Sequence, residues 1–197
     1  MLDRIEILDD DALIIVDPQN DFCPGGSLAV PHGDEIFDPI NAAMRKFRHV
    51  LATRDWHPRE HRFFQSFGGP WPYHCIQGTE GAEFHRRLDR AGIQETVDKG
   101  TDPQLDGYSG FAGTDLADRL RARGVKRVFI AGLATDYCVR ATAIEAVANG
   151  FETFVLTDAI RPVELQPGDG ERALSDMVAA GARLTTTAAL ETAADRP

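Results

Sequence analysis

The chain has 197 residues, 43% of them hydrophobic, which is typical of a soluble globular protein with one domain spanning residues 1–197. Its 31 acidic and 21 basic residues give a formal charge of -10 at pH 7, which repels phosphate backbones and anionic membrane surfaces. We therefore expect neither nucleic acid nor a membrane as a partner.

Short apolar runs rich in β-branched residues predict strands at residues 12–16, 50–53, 128–131, 154–156 and 184–186. Helical periodicity predicts helices at residues 35–47, 115–123, 135–148 and 170–180. Gly124, Gly150 and Gly181 look like helix stops. Because the strands are continuously apolar, we expect a three-layer α/β/α fold with a mainly parallel central sheet.

The acidic first eleven residues lack the basic start and apolar core of a signal peptide. The longest aliphatic run, residues 12–16, is far below the roughly 20 apolar residues that cross a bilayer. Three widely spaced cysteines without a C-x-x-C pair indicate neither a disulfide framework nor a thiolate zinc cage. These features favour a reducing cytoplasm as the location.

Reactive side chains follow the predicted strands at the ends where parallel sheets bind ligands. Asp17 follows the first run, Asp55 and His57 follow the second, and Cys138 comes shortly after the third. Residues 58–72 carry aromatic residues, Gly and Pro without steady periodicity, so we expect a long loop over the sheet. The order of these elements brings the reactive residues together at one edge.

Cys138 lies where a tight turn should lead from a strand into the first turn of a helix. Free N–H groups and the helix dipole at such a place stabilise a thiolate, which predicts a lowered pKa for Cys138 and a nucleophilic role. The same N–H groups can hold an oxyanion. The alternative is a small buried hydrophobic residue, which is what an isolated Cys more often is.

Asp17 and Lys99 are candidates for handling the proton of that thiol. Asp17 ends a buried strand, so partial desolvation would suit its carboxylate to accept a proton, although an Asp in a turn is more often a loop cap. Lys99 ends another short apolar stretch and could bias the charge of an Asp and Cys pair. Most lysines are merely solvated, and that alternative stays open here.

The segment Arg54-Asp55-Trp56-His57 indicates a metal site more strongly. If the segment is extended, Asp55 and His57 project to the same side, and His74 could add a third ligand. One carboxylate and two imidazoles suit a divalent zinc, iron or manganese ion. Scattered surface histidines are the alternative.

Aromatic residues near these polar groups could line a pocket for a flat heteroaromatic substrate. Phe22, Trp71 and Tyr108 are the candidates, and they may equally belong to the core. Helix-borne aromatic residues are better explained as core.

Five segments together carry a resemblance to a known family. They are Val-Asp-Pro-Gln-Asn-Asp-Phe-Cys-Pro-Gly-Gly-Ser-Leu (16–28), Thr-Arg-Asp-Trp-His-Pro (53–58), Trp-Pro-Tyr-His-Cys (71–75), Asp-Lys-Gly (98–100) and Gly-Leu-Ala-Thr-Asp-Tyr-Cys-Val (132–139). In order and spacing they resemble the nicotinamidases, including pyrazinamidase-like members, of the isochorismatase-like cysteine hydrolases. Pro18 departs from the family, where an aliphatic residue is common, and should restrict Asp17 to extended geometry.

The resemblance implies a role for each matched residue. It implies a catalytic trio of Asp17, Lys99 and Cys138. It implies one divalent metal ion, zinc before iron or manganese, on Asp55, His57 and His74, with His61 as a candidate fourth ligand. It implies a cis peptide near Leu133 and Ala134, with the N–H groups of Ala134 and Cys138 holding an oxyanion. It also implies a pyridine ring lined by Phe22, Trp71 and Tyr108.

The activity implied is hydrolysis of nicotinamide to nicotinate and ammonia through a thioester on Cys138, in cytoplasmic NAD salvage. A small-molecule substrate is thus the expected partner, and assembly into a homo-oligomer is left open. A sister amidase for another small amide or ureido compound is the main alternative. A metal-water hydrolase with a structural Cys138 and a non-catalytic metal-binding protein are further alternatives. A dinucleotide-binding reductase is disfavoured, because no G-x-G-x-x-G follows the first strand.

Overall fold

A six-stranded parallel sheet forms the centre of the computed structural model, which describes residues 4–195. The strands in chain order are β1 (Ile5–Glu6), β2 (Asp11–Val16), β3 (His49–Asp55), β4 (Glu95–Lys99), β5 (Arg127–Leu133), β6 (Glu152–Arg161), β7 (Arg183–Thr185) and β8 (Leu190–Glu191). The helices are α1 (Phe37–Met44), α2 (Leu116–Ala122), α3 (Arg140–Ala148) and α4 (Asp169–Ala180). The sheet order is β4-β3-β2-β5-β6-β7, and β1 pairs separately with β8.

Helices cover both faces of this sheet because its central strands are apolar on both sides. All six residues of β2 are buried. Leu13 and Ile15 pack in the core that contains residues of α1, whereas Ile14 packs in the core that contains residues of α2, α3 and α4. The predicted three-layer α/β fold with a mainly parallel sheet is confirmed. No helix within residues 4–195 is both long and apolar enough to cross a bilayer.

Each of the five predicted strands is present, and most are longer than predicted. Three strands were not predicted: β4, in which only one of five residues is hydrophobic, and the two-residue strands β1 and β8. Such segments are too polar or too short to give an apolar run. The glycine stops are confirmed, since Gly124, Gly150 and Gly181 have φ of 72°, 87° and 114°, a conformation that ends helices.

Two predicted helices are five residues shorter than expected, whereas α2 lacks only one predicted residue at each end. The predicted helix 35–47 corresponds to α1, and a 3-10 turn (Gly33–Ile36) precedes it. After α1, the N–H groups of Lys46 and Phe47 donate to carbonyls three residues earlier, as in a 3-10 turn. The predicted helix 135–148 divides into a π-helical turn (Thr135–Val139) and α3. The N–H of Val139 reaches back five residues to the carbonyl of Ala134, at 3.0 Å, and this bond widens the turn.

The strand order places the reactive segments at one point of the sheet. The chain runs from β2 outward to β3 and β4, then returns to add β5 on the other side of β2. Asp17 therefore follows β2, and the turn with Cys138 follows β5, at the place where the winding direction reverses. Ligands of doubly wound sheets bind outside such a point, at the carboxyl ends of the strands.

Gly132 is required where β5 lies against β2. Its φ is 114°, and a Cβ there would lie 2.0 Å from the carbonyl oxygen of Val16, its register partner. Gly124 also has a positive φ, 72°, but a Cβ there would meet no atom within 4 Å.

Gly132→Ala should therefore lower the free energy of unfolding by more than about 3 kcal/mol, because it adds a backbone clash to the strain of a positive φ. Gly124→Ala, which adds only the strain, should cost about 1 kcal/mol. Urea unfolding of both purified variants measures the difference. Equal losses would contradict the assigned role of the β2–β5 contact.

Candidate active site

Lys99 is the centre of the site, and its ammonium group is buried. Its Nζ donates hydrogen bonds to Asp55 Oδ1 at 2.6 Å, to the carbonyl of Gly107 at 2.8 Å and to Cys138 Sγ at 3.4 Å. Nζ also lies 2.7 Å from Asp17 Oδ2. The side chain of Lys99 is fully buried, so the solvated-lysine alternative is wrong. The structure thus brings Asp17, Lys99 and Cys138 together.

The register of the strands produces this cluster. Asp55 and Lys99 are paired residues at the ends of β3 and β4, and Val16 pairs with Gly132 at the ends of β2 and β5. Parallel strands that end level therefore present their last side chains to one another. Thr53, which the sequence did not single out, donates from Oγ1 to Asp17 Oδ1 at 2.6 Å and fixes that carboxylate.

Asp17 and Asp55 both contact Lys99, yet their pKa values move in opposite directions. Burial raises the pKa of Asp17 to about 6, with Lys99 only partly opposing it. Burial acts on Asp55 in the same direction, but Lys99, His57 and His74 together bring the pKa of Asp55 well below its usual range. Asp17 is therefore the carboxylate that can take up a proton near neutral pH.

Lys99 keeps its charge in this environment. Burial by itself would lower the pKa of Lys99, but Asp17 and Asp55 raise it well above its ordinary value. Every group that contacts Nζ offers an acceptor atom, which also requires the ammonium form. The cluster holds one fixed positive charge between two carboxylates.

The predicted direction of the Cys138 pKa is wrong. Burial raises the pKa of the thiol well above its ordinary value, and Asp17 and Asp55 add to this effect, while Lys99 opposes it. Cys138 also lies in the π-helical turn rather than in the first turn of an α-helix. The thiol consequently needs a base within the cluster, and a carboxylate oxygen of Asp17 lies within 4.8 Å of its sulfur.

Asp17 departs from the extended geometry that Pro18 was expected to impose. Its φ is 45°, in the left-handed region. The N–H of Gln19 donates to the carbonyl of Asp17 at 2.8 Å, and the N–H of Asp17 donates to Thr53 Oγ1 at 3.2 Å. These bonds hold a conformation that costs about 1–3 kcal/mol, a strain that is common at functional sites.

The predicted metal ligands Asp55, His57 and His74 also lie together. Each offers one ligand atom, and these atoms are all within 4.8 Å of one another. His57 Nδ1 is bonded to the carbonyl of Gly100 at 2.9 Å, and His74 Nδ1 to that of Pro72 at 2.8 Å. The Nε2 atoms therefore face Asp55 Oδ2, which lies 3.3 Å from that of His57 and 3.9 Å from that of His74. Imidazoles anchored in this way are the ones that metal sites use.

His61 is close to this group but not part of it. Its ring centroid lies 4.3 Å from that of His57, and its Nε2 is buried without a hydrogen-bond partner in the described part of the chain. Burial lowers the pKa of His61 to about 4, so its imidazole is neutral. A buried neutral nitrogen of this kind is consistent with a further ligand, and that role stays a prediction.

Asp17, Asp55 and Cys138 form a second group with ligand-type atoms within 4.8 Å of one another. The ammonium of Lys99 already lies among these atoms. A metal ion there would meet that positive charge. The group of Asp55, His57 and His74 is therefore the one that fits a divalent cation.

A pocket with about 340 Å³ of empty space, which includes the solvent at its open mouth, lies above this cluster. Phe22, Trp71, Tyr108, Ala134 and Cys138 line it, as the resemblance implies. Three lining residues were missed: Leu28, Tyr137 and Val163. Tyr137 could have been found from its place beside Cys138, whereas Leu28 and Val163 are aliphatic residues of loops and give no signal in a sequence.

The wall of the cavity is held by contacts between distant segments. Trp71 Nε1 donates to Tyr108 Oη at 2.8 Å, and the Trp71 ring packs edge-on against Tyr137 with centroids 4.9 Å apart. The carboxylate of Asp136 accepts from the N–H groups of Val163 and Glu164, both at 2.9 Å. The peptide bond between Leu133 and Ala134 is cis, as the resemblance implies.

Comparison with known proteins assigns the family. Residues 11–189 match the isochorismatase domain. This chain belongs to the isochorismatase family. The match includes every strand of the central sheet, from β2 to β7, and every residue predicted for the site.

Three relatives within this family illustrate the similarity. The nicotinamidase of Escherichia coli is 40% identical over 202 residues, covering 90% of this chain and 95% of the relative. The crystal structure of the pyrazinamidase of Pyrococcus horikoshii in complex with zinc has 49% identity and a TM-score of 0.83, covering 90% and 99% of the two chains. The crystal structure of PnC1 from L. infantum in complex with nicotinate has 38% identity and a TM-score of 0.91, covering 96% and 99%.

The metal group of this family member can be tested without a substrate. His57→Ala and His74→Ala should each lose most of the zinc that the purified parent binds, because each removes an anchored ligand. Cys138→Ala should keep it. Zinc per chain, measured by atomic absorption after dialysis, is the readout.

His85→Ala is the matched control for these variants. His85 stacks on Phe37 with ring centroids 4.6 Å apart and is not part of the metal group. Undiminished zinc in both His57→Ala and His74→Ala would rule out this group as the metal site.

Proposed function

We propose that this protein is a nicotinamidase, a metal-dependent cysteine amidohydrolase that converts nicotinamide and water to nicotinate and ammonia. The observation that carries the proposal is the buried contact of Lys99 with Asp17, Asp55 and Cys138 below a partly aromatic cavity. The nicotinamidase and the pyrazinamidase among its relatives, and the nicotinate-bound PnC1, support the choice of substrate.

Asp55, His57 and His74 would hold one divalent cation, zinc before iron or manganese, with His61 as the candidate fourth ligand. The set of one carboxylate and two imidazoles suits these metals, and the zinc-bound relative favours zinc. When bound, such a cation supplies Lewis acidity toward the pyridine nitrogen, which orients the ring. Phe64 packs against all three imidazoles, with centroids 5.4 to 5.7 Å away, and shields them from water.

Phe22, Trp71 and Tyr108 would receive the pyridine ring. All three line the cavity, and Phe22 also lies beside the ligand His74, with ring centroids 5.7 Å apart. The hydrogen bond between Trp71 and Tyr108 fixes two of these side chains, so the ring meets a preformed wall.

Asp17 would act first, by accepting the proton of the Cys138 thiol. Its raised pKa makes it a base that is ionised at neutral pH and holds a proton readily. Lys99 stays charged and compensates whichever of the two groups carries the negative charge. The sulfur then attacks the carboxamide carbon, and a carbon–sulfur bond forms as the carbonyl oxygen takes up the electron pair.

The N–H groups of Ala134 and Cys138 would stabilise that oxyanion, each by about 3 kcal/mol as in other hydrolases. Asp17 next gives its proton to the departing nitrogen, and ammonia leaves as the carbon–nitrogen bond breaks. Asp17 is then ionised again and can activate the water that hydrolyses the Cys138 thioester to nicotinate. The proposed product, nicotinate, supports a role in NAD salvage, and the proposed location is the cytoplasm.

Ammonia and nicotinate should appear together when the zinc-loaded parent is given nicotinamide. Cys138→Ala should lower kcat by at least about 10³-fold, because it removes the nucleophile. Coupled ammonia detection and chromatography of nicotinate measure both products, with zinc content checked in each sample. Substantial turnover by a zinc-loaded Cys138→Ala variant would eliminate covalent catalysis.

The same assay separates the sister-amidase alternative. A folded, zinc-loaded parent that ignores nicotinamide but releases ammonia from another small amide or ureido compound would retain the cysteine chemistry and overturn the substrate. A parent that still hydrolyses nicotinamide after its Cys138 thiol has been alkylated would favour a metal-water hydrolase.

Activity should also fall as the pH drops through the pKa of Asp17. Asp17 must be ionised to accept the thiol proton, and burial raises its pKa to about 6, so kcat/KM should decline below about pH 6 by roughly tenfold per pH unit. A pH profile of kcat/KM, with zinc measured at each pH, tests this. A profile that stays flat to pH 4.5 with zinc retained would exclude Asp17 as the base.

A further inference from the structure

Gln19 lies between Asp17 and Phe22, which both have proposed roles. Its side chain is fully buried. A buried side-chain amide has to satisfy its donors and its acceptor within the protein. The partners of Gln19 therefore indicate what it does.

The amide of Gln19 binds both main-chain groups of Asp55. Its Nε2 donates to the carbonyl of Asp55 at 2.7 Å, and its Oε1 accepts from the N–H of Asp55 at 2.8 Å. Nε2 also donates to the carbonyl of Ala82 at 2.8 Å, in the 3-10 turn Glu80–Ala82. The side chain of Gln19 thus links the main chain of Asp55 to the segment that follows β2 and to the turn Glu80–Ala82.

These bonds replace strand pairing that has ended. The pairing of β2 with β3 stops at Ile15 and Ala52, because the chain turns away at Asp17 with its φ of 45°. Asp55 nevertheless pairs with Lys99 of β4 on its other side. Without Gln19, the main chain of Asp55 would be held from the β4 side only.

The two carboxylate oxygens of Asp55 have different partners. Its Oδ1 lies 2.6 Å from Lys99 Nζ, and its Oδ2 lies 3.3 Å from His57 Nε2 and 3.9 Å from His74 Nε2. A small rotation of its main chain would move one oxygen toward its partner and the other away. The backbone of Asp55 therefore needs support from both sides.

We propose that Gln19 is a positioning residue for the metal centre, which fixes the main chain of Asp55 so that both carboxylate oxygens keep their partners. The inference rests on the proposed metal site of Asp55, His57 and His74. Gln19 touches neither the metal ligand atoms nor the reacting atoms in this role, and it acts through Asp55 alone.

A matched control exists at the other end of the same strand. Gln94 Oε1 accepts from the N–H of Val50 at 2.7 Å, and Gln94 Nε2 donates to the carbonyl of Arg48 at 2.9 Å. Gln94 thus also binds an N–H and a carbonyl of the main chain at β3, but at the end away from the site. Because Gln94 is exposed and Gln19 is buried, the two variants are compared in zinc affinity when folded and not in stability.

The experiment compares the zinc affinity of Gln19→Met and Gln94→Met with that of the parent. Gln19→Met keeps the size of the side chain and removes its hydrogen bonds, and it should weaken zinc binding about 10- to 100-fold, the usual effect of losing an outer partner of a ligand. Gln94→Met should stay within about twofold of the parent. Competition with a chromophoric chelator gives the dissociation constants, and circular dichroism verifies folding.

Gln19→Glu covers the case in which Gln19→Met does not fold. It keeps the length of the side chain and the acceptor for the Asp55 N–H but loses the amide donors. It should bind zinc more weakly than the parent and, where both variants fold, more tightly than Gln19→Met. Folded Gln19 variants that bind zinc like the parent, or a parent that binds no zinc, would overturn the proposal.

The zinc measurement requires no substrate, so it is independent of the amidase assay. A parent that binds zinc but does not hydrolyse nicotinamide would refute the proposed activity and leave the role of Gln19 intact. If the parent hydrolyses nicotinamide and the folded Gln19 variants keep its zinc affinity, the proposed activity stands and the role of Gln19 is refuted.

Discussion

The ammonium of Lys99, buried between Asp17 and Asp55, is the interaction on which the rest of the site depends. Two carboxylates at the ends of neighbouring strands would repel each other in a region of low dielectric constant. One cation shared between them makes their burial tolerable, and removing one partner of such a buried group costs about 3–5 kcal/mol. The strand order, the level ends of β3 and β4, and the turn of the chain after β2 bring these three charges together.

The unequal surroundings of the two carboxylates divide the work of the site. Asp55 has Lys99 and two imidazoles beside it, and its pKa stays low, which suits a metal ligand. Asp17 has Lys99 and Thr53, and burial raises its pKa to about 6, which suits a base. The same residue type thus serves two purposes because one copy lies nearer the histidines. The π-helical turn then sets the thiol of Cys138 against the Lys99 side of this arrangement.

Much of this arrangement could be predicted because it depends on strand ends. Asp17, Asp55 and Cys138 follow apolar runs, and parallel strands bring such positions together. Lys99 could not be assigned from physics alone, since a lysine after a weakly apolar segment is usually solvated, and the family resemblance was needed. The pKa direction of Cys138 was predicted wrongly because the dipole argument is local, whereas desolvation depends on the packing of the whole domain. The contacts of Gln19 join residues 36 and 63 positions apart, and no local pattern reveals them.

The hydrogen bond between Trp71 and Tyr108 joins two residues that line the cavity, so it limits the ways in which the cavity can open further. It connects two loops that also carry groups of the site. One loop contains the carbonyl of Gly107, which binds Lys99, and the other contains His74, three residues after Trp71. Swinging either loop open would disturb the charge cluster or the histidines. Rotating Trp71 or Tyr108 breaks this hydrogen bond, worth about 1 kcal/mol, and the ring contact with Tyr137. Rotation of an aromatic side chain is therefore the opening that leaves the charge cluster and the histidines in place.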